Sequence, residues 1–425
     1  MSDISVRSAP VVAWCAAVRT RRTATLALVA LAVTACGDAS SPNAAPVTVD
    51  TLPNGAVRTI SSAPTEAGRW SLDRLLDVQP PEGDSAELGE PQDVALADDG
   101  TILVSEGGSD AHVKVFDASG RFLRRIGRAG EGPGEFRVAF LAVRGDTLLV
   151  QDPQVARAST FRISDGQFIG SRPTTCCYWS PLGVDGAGRA VLPANHSPSD
   201  TSRGPAEAYV RAPFAGTAAD TVFVWQRRTD RDAQVWRIGE EGRYLMAIPV
   251  PYAPQDVQQA DPQGGFVTSW TGGYLLRVSS NGSDTTALFG RPFTPERVDA
   301  AEKQRLREVR LASMREPGVE FPLSESAIAA SMDVGKIPDV RPAFEYFRMG
   351  ADGSTWVYRI TSDTTEQRFD LFGPDRVWRD EVRLPRTEWS APMFAPTAWG
   401  ADRVAVAMED EDGRPLIRVF AMRRK

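Results

Sequence analysis

Short apolar runs separated by turns recur along most of this chain. Four lie between residues 92 and 126: Asp93–Leu96, Ile102–Val104, Val113–Phe116 and Phe122–Ile126. Asp99-Gly100 and Ser119-Gly120 stand between successive runs, and glycine accepts the positive φ that tight hairpin turns need. The same order returns at Val138–Val143, Leu148–Val150, Ala158–Ile163 and Phe168–Ile169, with Gly145-Asp146 and Asp165-Gly166 at the turns. Gly100, Gly145 and Gly188 mark the first turn of successive units, at spacings of 45 and 43 residues. Later copies of that turn are Gln263-Gly264, Asp352-Gly353 and Ala401-Asp402. Six four-stranded units of about 45 residues predict an all-β fold, a six-bladed β-propeller.

Two spacings are too long and predict insertions. Gly188 and Gly264 are 76 residues apart, and Ala233–Ile238 with Tyr244–Val250 reads as an extra hairpin between them. Gly264 and Gly353 are 89 residues apart, which predicts a helical insertion at about 294–333, between blades 4 and 5. Thr294-Pro295 reads as its N-cap and first helical residue, with helix from Glu296 to Arg315. A second, short helix is expected from Ser324 to Met332. Such helices either cap one face of the ring or cover blade edges. The last unit has room for only three strands: Thr397–Trp399, Arg403–Met408 and Leu416–Met422. Upstream, Trp70–Val78 (WSLDRLLDV) has the pattern of the missing fourth, and pairing it there would close the ring and remove an exposed edge.

Ahead of the repeats, Arg19, Arg21 and Arg22 precede an apolar stretch, Thr23 to Thr34, of 12 residues. A bilayer-spanning helix needs about 20. Val33-Thr34-Ala35-Cys36 resembles the bacterial lipobox. The resemblance implies that residues 1–35 are a signal peptide and that Cys36 carries lipid, in a protein exported to the outer membrane and facing the periplasm or the cell surface. Residues 36–69, rich in Ser, Pro, Ala and Thr, read as a flexible tether to a propeller at 70–425, and Ala56–Ile60 as a strand for the domain edge. Loss of residues 1–35 leaves a net charge of −10. That disfavours nucleic acid, which needs a basic face.

Val115 to Phe136 (VFDASGRFLRRIGRAGEGPGEF) resembles the NHL-repeat and bacterial six-bladed propeller pattern: apolar strand, Asp, turn glycine, apolar strand, then a Gly-Pro-Gly loop. The match is specific over residues 91–170 and general beyond. The resemblance implies an extracytoplasmic scaffold that binds a protein, a peptide or a carbohydrate-like ligand. The alternative it leaves open is a metal-dependent lactonase- or lyase-type enzyme, although no motif of those enzymes transfers to this chain.

Chemistry is sparse. The chain carries no GxSxG, HExxH or P-loop motif. Gly130, Gly132 and Gly134 read as a blade-linking turn, and Glu409 to Gly413 as a solvated hairpin tip. Glu106, Asp152 and Asn195 each follow the second strand of a blade, where they either cap turns or share a calcium ion; no other cofactor is expected. Adjacent Cys176 and Cys177 are expected to form a vicinal disulfide at the entry to the innermost strand of blade 3. By this register Gln92, Arg137, Tyr178, Trp179, Tyr252, Arg341 and Phe394 stand at innermost-strand entries and make one channel mouth. His112 and His196 have no evident partners.

Overall fold

The computed structural model describes residues 46–174, 182–199, 202–216, 218–227, 234–240, 243–314, 323–389 and 395–425. Six antiparallel four-stranded units follow one another around a ring. Blade 1 comprises Pro91–Leu96, Ile102–Glu106, His112–Phe116 and Phe122–Ile126. Blade 2 starts at Phe140–Arg144, blade 3 at Gly183–Val184, blade 4 at Asp256–Ala260, blade 5 at Tyr346–Met349 and blade 6 at Thr397–Trp399. The repeat seen in the sequence is thus the blade, and the protein is a six-bladed β-propeller. Five of the six first turns place a glycine at positive φ: Gly100, Gly145, Gly188, Gly264 and Gly353. In blade 3, Asp185 accepts from the amides of Ala187 (3.0 Å) and Arg189 (2.9 Å). Gly100 adopts φ +87°, which a side chain would strain.

The ring closes as expected. Trp70–Val78 pairs antiparallel with Pro415–Arg424, from Trp70 opposite Arg424 to Val78 opposite Ile417. Alternating residues of these strands feed the seams between blades, because successive strand side chains face opposite sides. Leu72 enters the seam of blades 5 and 6, with Trp356, Phe369, Trp389 and Phe420, and Val78 enters that of blades 6 and 1. Asp77 holds the buried Arg418 of the next strand at 2.9 Å.

Two expectations change. The expected tether is structured from residue 46 onward. Val47–Thr51 and Val57–Ser61 form a hairpin, and Val57–Ser61 runs parallel to Ala287–Gly290, which extends the blade 4 sheet to six strands. The chain then crosses blade 5, where the Thr65 and Glu66 amides donate to the Trp378 and Arg379 carbonyls at 3.0 and 2.7 Å. The Gly68 and Trp70 amides reach the Asp380 carboxylate at 2.9 and 2.8 Å. The edge strand expected at Ala56–Ile60 is thus present, whereas the polar composition hid its hairpin partner Val47–Thr51 and the crossing of blade 5, whose partners lie in distant blades.

The first inserted helix, α1, spans Ala300–Ser313, not Glu296–Arg315. Tertiary pairing overrides the Thr294-Pro295 start signal: Arg297 bridges Val340, and the Val298 amide donates to the Asp339 carbonyl at 2.9 Å. Asp299 caps the helix instead, accepting from the Glu302 amide at 2.7 Å. The second helix, α2, spans Glu325–Ser331 and is capped by Ser324, as expected.

The extra hairpin, Val235–Glu240 with Arg243–Pro249, is no seventh blade. Its Trp236 and Ile238 bury against Ile328, Met332 and Ile337 of the helical insertion, with Leu306 and Leu311 of α1 alongside. Two insertions far apart in sequence thus share one satellite core. Both leave the ring between a fourth strand and the next first strand, so this cap stands at the entry end of blade 4.

Candidate functional site

The first strands of all six blades line a central cavity of about 760 Å³. A volume of that size lies within the usual range for small-molecule sites. Its wall runs from Asp93 to Asp98 in blade 1, Leu141 to Arg144 in blade 2 and Leu182 to Gly188 in blade 3. It continues through Ala260 of blade 4 and Arg348 and Met349 of blade 5 to Thr397–Arg403 of blade 6. The cavity therefore opens at the turn end, where each first strand passes into its second. Small residues make that mouth, among them Ala97, Gly186, Gly188, Ala351 and Gly400.

Asp93 and Arg348 bring charge into this cavity. Asp93 Oδ1 accepts from the Val94 amide at 2.9 Å, and Oδ2 from the Leu141 amide at 2.8 Å, so one carboxylate ties blade 1 to blade 2. Burial pushes its pKa to about 7; those two hydrogen bonds and the charge of Arg348 oppose the rise. Arg348 reaches this neighbourhood from blade 5, its guanidinium 4.6 Å from the Tyr346 ring centre. Burial pushes its pKa down, against the charges of Tyr346 and Asp93. A signal for both residues existed in the sequence: each is a charge inside an otherwise apolar first strand.

The expected mouth lies at the other end of these strands, and those of its residues that are described do not line the cavity. Arg341 and Tyr252 serve the cap instead. The Arg341 guanidinium makes two 2.6 Å contacts with the Glu302 carboxylate of α1 and one of 3.2 Å with Glu296. The Tyr252 hydroxyl donates to Glu302 at 3.0 Å. Arg137 is exposed, pairs with Glu131 at 2.6 Å and lines a shallow surface pocket with Gly130 and Gln154. Gln92 is half-buried. Tyr178, Trp179 and Phe394 lie outside the described residues, as do Cys36, Cys176 and Cys177.

Two of the three metal candidates are taken up by other partners. Glu106 is buried, accepts from the Gly89 and Glu90 amides at 3.2 and 2.7 Å, and pairs with Lys114 at 3.0 Å. Asp152 accepts from the amides of Arg137 (2.6 Å) and Gln154 (2.8 Å). Both carboxylates are thus spent on capping, and Asn195 is exposed. Among the described residues no group of three His, Cys, Asp or Glu side chains is placed to hold a metal. The Gly130 turn and the Glu409–Gly413 hairpin tip are as expected, with Asp410 accepting from the Arg414 amide at 2.8 Å.

At the entry end of blade 5, Glu345 precedes the first strand. Burial pushes its pKa to about 7, opposed by the charge of Arg386. A carboxyl that holds its proton more tightly folded than unfolded costs stability as pH rises from the ordinary carboxylate range towards 7. Glu345→Gln is therefore expected to flatten the fall in stability between about pH 5 and about pH 8, by roughly 1–3 kcal/mol. Denaturant midpoints of both proteins at each pH check this; parallel curves would contradict it.

Comparison with known proteins agrees with the architecture. A family model described as a 6-bladed beta-propeller, DUF5128, matches residues 83–142. No curated protein matches. Among solved structures, the chain is similar to a member of the DUF4221 family from Bacteroides vulgatus, at 9% identity and a TM-score of 0.49, covering 85% of this chain and 100% of that one. A Bacteroides fragilis protein described as exported is 11% identical, with a TM-score of 0.42 and coverage of 87% and 98%. A streptogramin B lyase is 12% identical, with a TM-score of 0.36 and coverage of 83% and 97%. Among the described residues no helix is long and apolar enough to cross a membrane.

Proposed function

We propose that this chain is an exported, lipid-anchored propeller that works as a binding scaffold, taking its ligand through the turn end of the central channel. The observation that carries the reading is the cavity of about 760 Å³, walled by every blade and charged at Asp93 and Arg348. The anchor would be Cys36, after the lipobox-like Val33-Thr34-Ala35. The acids read as calcium candidates are occupied by amides and Lys114, so a metal-dependent lactonase or lyase gains no support from them.

The test has two arms. Cys36→Ser is expected to move the protein from the membrane to the soluble extracytoplasmic fraction; retention in the membrane would overturn the anchor. Ala351→Trp places an indole at the turn-end mouth. A panel of oligosaccharides, short peptides and organic acids, screened by thermal shift, is expected to contain a compound that stabilises the native protein and not this variant. Equal stabilisation of both, or of neither, would overturn the channel.

A further inference from the structure

Seven charged side chains line the central cavity, and they differ in what answers their charge. Three of the four carboxylates are answered inside the protein. Asp93 accepts two backbone amides, Asp185 pairs with Arg189 at 2.7 Å, and Asp402 pairs with Arg403 at 3.0 Å. The fourth, Asp98, is exposed on the rim of blade 1. Two arginines stand differently. Arg144 Nη1 donates to the Gly188 carbonyl of blade 3 at 3.0 Å, and Arg348 Nη1 to the Phe347 carbonyl at 3.4 Å. A carbonyl takes up one of the five donors of a guanidinium and neutralises none of its charge. Among the described residues no carboxylate pairs with Arg144.

Their positions make these two a pair. The six blades follow one another around the ring, so blades 2 and 5 face each other across the channel. Arg144 ends the first strand of blade 2, at the rim, whereas Arg348 lies one residue inside the end of the first strand of blade 5. The neighbouring blade holds the Arg144 guanidinium in place. A Cβ on Gly188 would lie 2.3 Å from its Cζ, so the bare glycine is what lets it rest on the first turn of blade 3. Arg348 is steadied by the Tyr346 ring, 4.6 Å away. Two oriented forks thus address one cavity from opposite walls, and groups already ordered lower the cost of binding.

We propose that the channel ligand is a small linear dicarboxylate, with one carboxylate on Arg348 inside the cavity and the other on Arg144 at the rim. This names the ligand class of the channel and rests on that reading. A monoanion meets one fork only, and a neutral sugar answers neither charge. A cation faces two guanidinium groups, while three of the acids that could receive it are already spent. Each carboxylate of a diacid matches a guanidinium edge through charge-assisted hydrogen bonds. Small residues at the mouth, among them Ala97, Gly186 and Ala351, admit a slender chain, and Leu141, Val143 and Val184 offer its methylenes an apolar wall.

Titration calorimetry with a homologous series of diacids, succinate to sebacate, tests it, alongside the monomethyl ester of each. At least one diacid is expected to bind one to one, and its ester at least about tenfold more weakly. Arg144→Gln and Arg348→Gln should each weaken the diacid by a similar factor. Arg144 is exposed, so its variant should melt within a few degrees of the native protein, and it decides the matter even where Arg348→Gln unfolds. Ala351→Trp should block the diacid. No diacid binding at millimolar concentration, esters that bind as tightly as diacids, or diacid binding that survives Arg144→Gln would overturn the dicarboxylate. If a neutral sugar or peptide then binds the native protein and not Ala351→Trp, the channel stands without it. Diacid binding undiminished in Ala351→Trp would overturn both.

Discussion

Removal of residues 37–79 is expected to abolish cooperative folding, whereas removal of residues 37–45 leaves stability unchanged. The larger deletion takes the strand Trp70–Val78 out of blade 6 and bares the long edge of Pro415–Arg424. It exposes the faces that Leu72 and Val78 cover, which are 5% and 2% accessible. Burying those two side chains is worth roughly 3–6 kcal/mol together. The total stability of a domain is only about 5–15 kcal/mol. The ladder and the Arg418–Asp77 pair are lost as well, and Arg418 is left as a buried charge without that partner. A bare edge of this length also invites association between chains. Deleting residues 37–62 should fall between the two. It strips the hairpin from blade 4 and removes the Ser61 hydroxyl that accepts from the Trp378 amide at 3.1 Å, yet leaves the ring closed. Circular dichroism melts and sedimentation of the three truncations give the order. Equal melting of the two longer deletions would contradict the role of the closing strand.

Loss of the Arg341 guanidinium should loosen the cap. Arg341 and Glu302 are 6% and 8% exposed, and Arg341 also holds the Arg297 carbonyl at 3.1 Å. Arg341→Ala strands the Glu302 carboxylate in a buried place, at a cost of about 3–5 kcal/mol. The loss should be local. The hairpin Val235–Glu240 and Arg243–Pro249 packs on the same helices, so amide exchange there and in α1 should accelerate together while blade 1 stays protected. Replacing both partners, Arg341→Met with Glu302→Leu, should recover most of the loss, because no charge is then left buried. If exchange rises uniformly around the ring in Arg341→Ala, the pair supports the propeller and not the cap.

The expected and observed roles of Arg341 show where sequence reading stops. Arg341 precedes the first strand of blade 5. Its partner, Glu302, is 39 residues away on a helix whose start was misplaced, and only the folded chain brings the two together. The same holds for Tyr252. The seven expected mouth residues share an end of the ring by register. Register alone does not say that a cap consumes two of them, or that the cavity opens at the other end.

Asp93 and Arg348 were within reach, since a charge inside an apolar innermost strand must face either the channel or a seam.

The ring is legible in the order of residues: the number of blades, their turns, the split blade closed by Trp70–Val78, and a helical insertion between blades 4 and 5. These follow from local period and turn chemistry, which act over a few residues and repeat six times. Tertiary structure alone decided the rest. It set the N-terminal hairpin on blade 4, merged two distant insertions into one cap, and spent Glu106 and Asp152 on backbone amides. Each of those outcomes depends on which unmet hydrogen-bonding group or apolar face lies nearest in space, and that is settled only once the blades have packed.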